Sequence, residues 1–157
     1  MKKLLALLGI LAAFSFVACD KEADPINPPA FDGNVDLTKL AEYDETAGGL
    51  VKDFGTAVNG YDVAFTYKLS DLGYTDEDFT TIVVVADVYN GESKYDLASD
   101  WTARLMLKIN QTVEVYNSGV DDATQGIKFE SKDDVLDIHV KDKPVTKVVV
   151  TAIKFVK

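Results

Sequence analysis

Between residues 61 and 156 apolar side chains keep returning at every second position, a spacing that suits extended chain far better than helix. Tyr61, Val63, Phe65, Tyr67 and Leu69 fall on one face of such a strand, with Asp62, Ala64, Thr66 and Lys68 on the other. Trp101, Ala103, Leu105, Leu107 and Ile109 repeat the pattern against Thr102, Arg104, Met106 and Lys108, as do Leu136, Ile138 and Val140 against Asp137 and His139. Successive side chains of a strand point to opposite faces, so each of these segments is expected to bury one face and leave the other in water. Two segments are apolar on both faces: Ile82 to Tyr89, broken only by Asp87, and Val145 to Val156, where Val148, Val149 and Val150 run without interruption. Their β-branched residues are stiff at χ1 and fit a pleated surface, which predicts two central strands.

Turn signals separate the strands. Asn59-Gly60 and Asn90-Gly91 tolerate the positive φ angles of tight hairpins, and Asn117-Ser118-Gly119 reads as a looser turn. Shorter strands are expected over 112–116 and 127–130, giving seven or eight in all, with Pro144 just ahead of the last one, where no ladder donor is needed. Helical signals are few. Thr75 with Asp78 resembles a capping box opening a single turn, Leu50, Val51 and Phe54 fit a short amphipathic stretch, and Leu37, Leu40 and Ala41 fit either a helical turn or a first edge strand. The expected fold is therefore all-β: a two-layer antiparallel β-sandwich, Ig-like or jelly-roll, formed by residues 31–157 as one domain with at most short helical turns.

The first thirty residues belong to another category. Lys2 and Lys3 precede an apolar run from Leu4 to Ala18, interrupted by Gly9 and Ser15, and the polar Asp20-Lys21-Glu22 follows. This is secretory signal architecture, and the run is short of the roughly 20 residues a membrane-spanning helix needs. Val17-Ala18-Cys19 resembles the lipobox of bacterial lipoproteins, with Phe16 where leucine is usual. The resemblance implies cleavage after residue 18 and acylation of Cys19, the membrane contact of the mature chain. Cys19 is the only cysteine, so it has no intrachain disulfide partner. Each buried acyl methylene contributes roughly 0.8 kcal/mol and stable attachment takes more than one chain, which the three chains usual in that family supply. Residues 19–30 then carry three of the four prolines, Pro25, Pro28 and Pro29, and read as an extended tether. Lys21 among acidic residues resembles the export signal of Bacteroidota-type surface lipoproteins, which implies a bacterial envelope location, lipid-anchored in the outer membrane and displayed at the surface.

Charge and residue counts narrow the chemistry. The chain carries a formal charge of −10, and without residues 1–18 there remain 14 basic against 26 acidic side chains. Such a body repels phosphate, so nucleic acid is excluded as a partner and anionic lipid is disfavoured. The single histidine, His139, lies on a polar strand face. No cysteine is available in the body, and Ser131 near Asp133, Asp134 and Asp137 lacks a nucleophile elbow, so no catalytic residues are expected and the protein is not expected to be an enzyme. Glu114, Asp121, Asp122, Glu130, Asp133 and Asp134 sit in or beside turns, where acids commonly serve backbone hydrogen bonding. No cofactor is expected. Calcium is the one metal the oxygens of Asp76-Glu77-Asp78, or of Asp96 with Asp100, suit by type, although neither group has EF-hand spacing.

Two functions fit these limits. In the first, a non-catalytic module binds a glycan or other extracellular ligand through Tyr89, Asn90, Tyr95, Asp96 and Asp100, which cluster around one hairpin and its following loop. Tyrosine rings stack on the C–H faces of sugars, while carboxylates and amides meet hydroxyls. In the second, the domain is a structural or protein-interaction subunit of an envelope complex, with no small ligand.

Overall fold

The computed structural model describes residues 30–75, 78–99 and 105–157. The readings on Cys19, the signal, the tether, Asp76, Glu77, Asp100 and Trp101 to Arg104 lie outside the described residues. Among the described residues ten strands form: β1 (Tyr43–Asp44), β2 (Gly49–Val58), β3 (Val63–Lys68), β4 (Thr81–Asn90), β5 (Ser93–Lys94), β6 (Leu105–Ile109), β7 (Val113–Asn117), β8 (Ile127–Lys128), β9 (Val135–Val140) and β10 (Val145–Val156). One sheet runs β1-β2-β10-β4-β5 with β8 also on β4; the other runs β3-β9-β6-β7. All pairings are antiparallel. The expected two-layer β-sandwich is thus the fold, and seven strands of five residues or more match the expected number. The three two-residue strands are too short to leave a periodic signal.

The two doubly apolar segments become β4 and β10, paired over nine register positions from Lys147↔Tyr89 to Val156↔Thr81. A bulge between Val150 and Ala152 adds a residue to β10, so that Val148, Val150, Ile153 and Phe155 all reach the core although their spacing is not strictly two. They pack with Ile82, Val84, Ala86 and Val88 of β4 against Phe65, Tyr67, Leu107, Leu136 and Ile138 of the other sheet. One end of the sandwich is aromatic. The Phe155 ring lies 5.3 Å from Phe31, 5.2 Å from Tyr74 and 5.4 Å from Phe129. Gly33, at φ +92°, brings its carbonyl to 2.7 Å from the Phe155 N–H, an approach that a Cβ would block at 2.6 Å from the Phe155 oxygen. The chain therefore enters at the C-terminal end of β10, and the β9–β10 turn lies about 33 Å away at the rise of an extended strand.

Several expectations are corrected. Leu50, Val51 and Phe54 belong to strand β2, not to a helix, because β2 pairs with β10 through Leu50↔Val150 and Val51↔Val149. Asn59-Gly60 is not a hairpin: β2 and β3 belong to different sheets and the turn carries the chain across the sandwich. Asn90 is the last residue of β4 and Gly91-Glu92 form the hairpin loop, since Asn90 pairs with Ser93. The Thr75–Asp78 turn runs through residues 76 and 77, outside the described residues; a 3₁₀ turn forms earlier, at Leu69–Leu72. Leu37 sits in a 3₁₀ turn, Leu37–Lys39, capped by the Asp36 side chain, so the helical alternative holds there.

The supposed polar face of the second sheet is the largest departure. Met106, Asp137 and His139 are buried, and a bulge between Val63 and Phe65 leaves Val63 exposed while Ala64 turns inward. Asp137 accepts hydrogen bonds from the Thr66 hydroxyl at 2.6 Å and from the Gln111 amide. Gln111 reaches it because Asn110 and Gln111, at φ +50° and +61°, make the β6–β7 turn, and Asn110 is fixed by Asp134 and the Val135 N–H, each at 2.8 Å. A partnered carboxylate tolerates burial that a lone one does not.

Truncating Phe155→Ala removes the hub of the aromatic end and is expected to cost about 3–5 kcal/mol in urea denaturation. Glu45→Ala, at an exposed position of the β1–β2 turn, should stay within about 0.5 kcal/mol of the parent.

Candidate functional site

β4 is covered along one edge by β10, but along the other only at its ends, where β5 meets Tyr89 and Asn90 and β8 meets Thr81 and Ile82. Between them the edge is met at two points. The Ala86 N–H donates to the Gly119 carbonyl at 2.8 Å, and the Val88 carbonyl accepts from the Tyr95 N–H at 2.9 Å. The gap opens into a crevice of about 590 Å³, lined by residues 85–87, 94–98 and 119–121. That volume falls in the range of small-ligand sites. A hollow of about 730 Å³ lies where the chain enters the domain, between residues 30–39 and 71–75, and none of the expected site residues falls there.

The far wall of the crevice is held by a network of short-range polar contacts. Buried Asn117 accepts from the Gly119 N–H at 2.7 Å and donates to the Gln125 carbonyl at 3.1 Å, while Ser118 donates both its N–H and its hydroxyl to the Gln125 side chain. Asp122 accepts from the N–H and hydroxyl of Thr124, and the Thr124 hydroxyl is the leading cause that holds its carboxyl below the ordinary value. Gly119 itself sits at φ +72°, and a Cβ there would come within 2.6 Å of the Leu97 Cδ1 and 3.1 Å of the Ala86 oxygen. Only glycine lets this loop approach β4 so closely.

Charged groups converge from three segments. Lys94 pairs with Asp87 at 2.6 Å, and that hydrogen bond pushes the amine's pKa up. Asp121 pairs with Lys154, and Asp96 accepts from the Ser99 hydroxyl at 2.6 Å. Val85, Leu97, Ala98 and Val120 supply the apolar lining. Carboxylate acceptors, one ammonium donor and an apolar floor suit a polyhydroxylated ligand with C–H faces. Among the described residues no group of three or more His, Cys, Asp or Glu side chains is placed to hold a metal ion.

The structure divides the five expected ligand residues. Tyr95 and Asp96 line the crevice. Tyr89 shares a register position with Lys94 and lies on the outer side of the sheet, with Lys147 Nζ 4.5 Å from its ring centre. Tyr95 instead packs on the core, and its hydroxyl donates to the Pro144 carbonyl at 2.8 Å, so the two rings form no shared platform. Asn90 is exposed at the hairpin and outside the crevice, and Asp100 lies outside the described residues. Asp87, Lys94, Gly119 and Asp121 were missed. Asp87 did leave a signal, as the only charged residue in an otherwise apolar strand.

Compared with protein-family models, with curated proteins and with solved structures, the chain matches none. No helix of the described residues is long and apolar enough to cross a membrane.

Gly119→Ala is expected to destabilise the domain by about 1–3 kcal/mol through backbone strain and the Leu97 contact, and to speed hydrogen exchange at the Ala86 amide. Gly48→Ala shares the positive φ but meets nothing within 4 Å, so it should leave Ala86 exchange unchanged.

Proposed function

We propose that this protein is a bacterial envelope lipoprotein, anchored in the outer membrane through acylated Cys19, whose β-sandwich is a non-catalytic module that binds a surface or extracellular glycan. The observation that carries the ligand half of this reading is the crevice beside β4, where Asp87, Lys94, Asp96 and Asp121 come together from three separate segments over an apolar floor. Sugar hydroxyls can each accept and donate, so mixed carboxylate and ammonium lining serves them better than a uniform charge. The anchoring half rests on Val17-Ala18-Cys19 and the proline-rich stretch after it. An extended tether of that kind spaces the domain from the lipid headgroups by roughly 3.1 Å per residue. The acidic body has no part in holding the membrane, which leaves its surface to the ligand.

The test uses the full chain expressed in a Gram-negative host and purified in detergent. Intact mass should show a chain that starts at Cys19 with acyl additions, and a glycan array should show binding that Asp96→Ala or Lys94→Ala weakens at least tenfold, about 1.4 kcal/mol. An unmodified Cys19 would refute the anchor. Absence of glycan binding, with a defined envelope protein co-purifying instead, would favour the interaction-subunit alternative.

A further inference from the structure

The outer face of the β3-β9-β6-β7 sheet carries a second arrangement, on the other sheet from β4 and its crevice. Register places Val63, His139, Met106 and Tyr116 in one row across the four strands, directly beside a polar row of Thr66, Asp137, Lys108 and Glu114. Four large hydrophobic residues are exposed among the described residues, and three of them meet on this face: Tyr61 at 60 %, Val63 at 44 % and Tyr116 at 46 %. Lys141, the first residue past the end of β9, lays its amine between the two tyrosines, 3.9 Å from the Tyr116 ring centre and 5.4 Å from that of Tyr61. Both rings therefore stand within a nanometre of one another on a single ammonium.

The groups beneath them are fixed. Lys141 donates to the Tyr116 hydroxyl at 2.7 Å, which is the leading reason its pKa is raised to about 12, and pairs with Asp142 at 3.5 Å. His139 donates from Nδ1 to the Tyr61 carbonyl at 3.1 Å, pinning the segment that presents the Tyr61 ring. Its Nε2 is the one buried side-chain polar atom among the described residues without a partner. A buried polar atom left unmatched costs stability, and being buried it is out of reach of a surface ligand, so the groups open to one are the two exposed rings with Lys141 between them.

We propose that this face is a saccharide-binding platform distinct from the crevice, taking a neutral oligosaccharide whose pyranose faces stack on Tyr61 and Tyr116 and whose hydroxyls meet Lys141 and the polar row beside it. Neutrality follows from charge: the chain's formal balance of −10 repels anions, and the one ammonium between the rings is already offset by Asp142. Size argues against a protein partner. A stable protein interface buries about 800 Å² on each side, more than three exposed side chains provide, whereas two stacked sugar rings need little else.

The experiment separates this site from the crevice. Cellohexaose, mannohexaose and xylohexaose, with hexagalacturonate as the anionic control, are titrated into the full chain while the tyrosine ring resonances and the backbone amides are followed by NMR. At least one neutral hexasaccharide should shift Tyr61 and Tyr116. The Tyr61→Ala/Tyr116→Ala double variant, which truncates only exposed rings and should keep the parent circular dichroism, should bind it at least tenfold more weakly, whereas Asp96→Ala should leave those ring shifts intact. Three results would each overturn the proposal: ring resonances unmoved by every neutral sugar, undiminished binding by the folded double variant, or concentration-dependent broadening at Tyr61 and Tyr116 without sugar, the mark of a protein contact.

Discussion

The pairing of β10 with β4 is the contact on which the remaining architecture depends. β10 is paired with β2 over Val145–Val150 and with β4 over Lys147–Val156, and its inner residues supply Val148, Val150, Ile153 and Phe155 to the core. Apolar residues on both faces of these two strands make them costly to expose and favour an interior position in the sheet. The bulge between Val150 and Ala152 is what keeps both ends of β10 in phase with the core. Without that extra residue, Ile153 and Phe155 would turn to the outer face and the aromatic end around Phe31, Tyr74 and Phe129 would lose its hub.

The same pairing generates the crevice. Because β10 occupies one edge of β4 and only two-residue strands meet the other, the middle of β4 is left for loops to approach, and Gly119 permits the closest approach. The crevice is thus a by-product of strand length, walled by a loop whose own hydrogen bonds make it rigid. Gly33 meets β10 at its Phe155 end, and the β9–β10 turn, with Lys141 and its two tyrosines close by, lies at the other end of that strand.

Period two and the β-branched runs made the fold class legible, and the two doubly apolar segments marked the interior strands correctly. What alternation hides is the bulge. Val63 and Phe65 are both apolar and two apart, yet a shift in register between them puts Val63 in solvent and Ala64 in the core. Polar identity misled in the other direction, since Asp137 and His139 look solvated until Thr66, Gln111 and the Tyr61 carbonyl, all distant in sequence, supply their partners. The candidate site was half legible for the same reason. Tyr95 and Asp96 are local to one hairpin and loop, but Asp87 and Asp121 join them only through the pairing of β4 and the close approach of the Gly119 loop.

Native-state hydrogen exchange probes the dependence on β10 most directly. Amides of Val148 to Val150 and of Val83, Val85 and Asp87, the β4 groups that face β10, should be the last to exchange, at the free energy of global unfolding, with β3, β7 and the 117–126 loop opening earlier. Slowest exchange in β6 and β9 instead, with β10 already open, would contradict the view that the β10–β4 ladder holds the sandwich together.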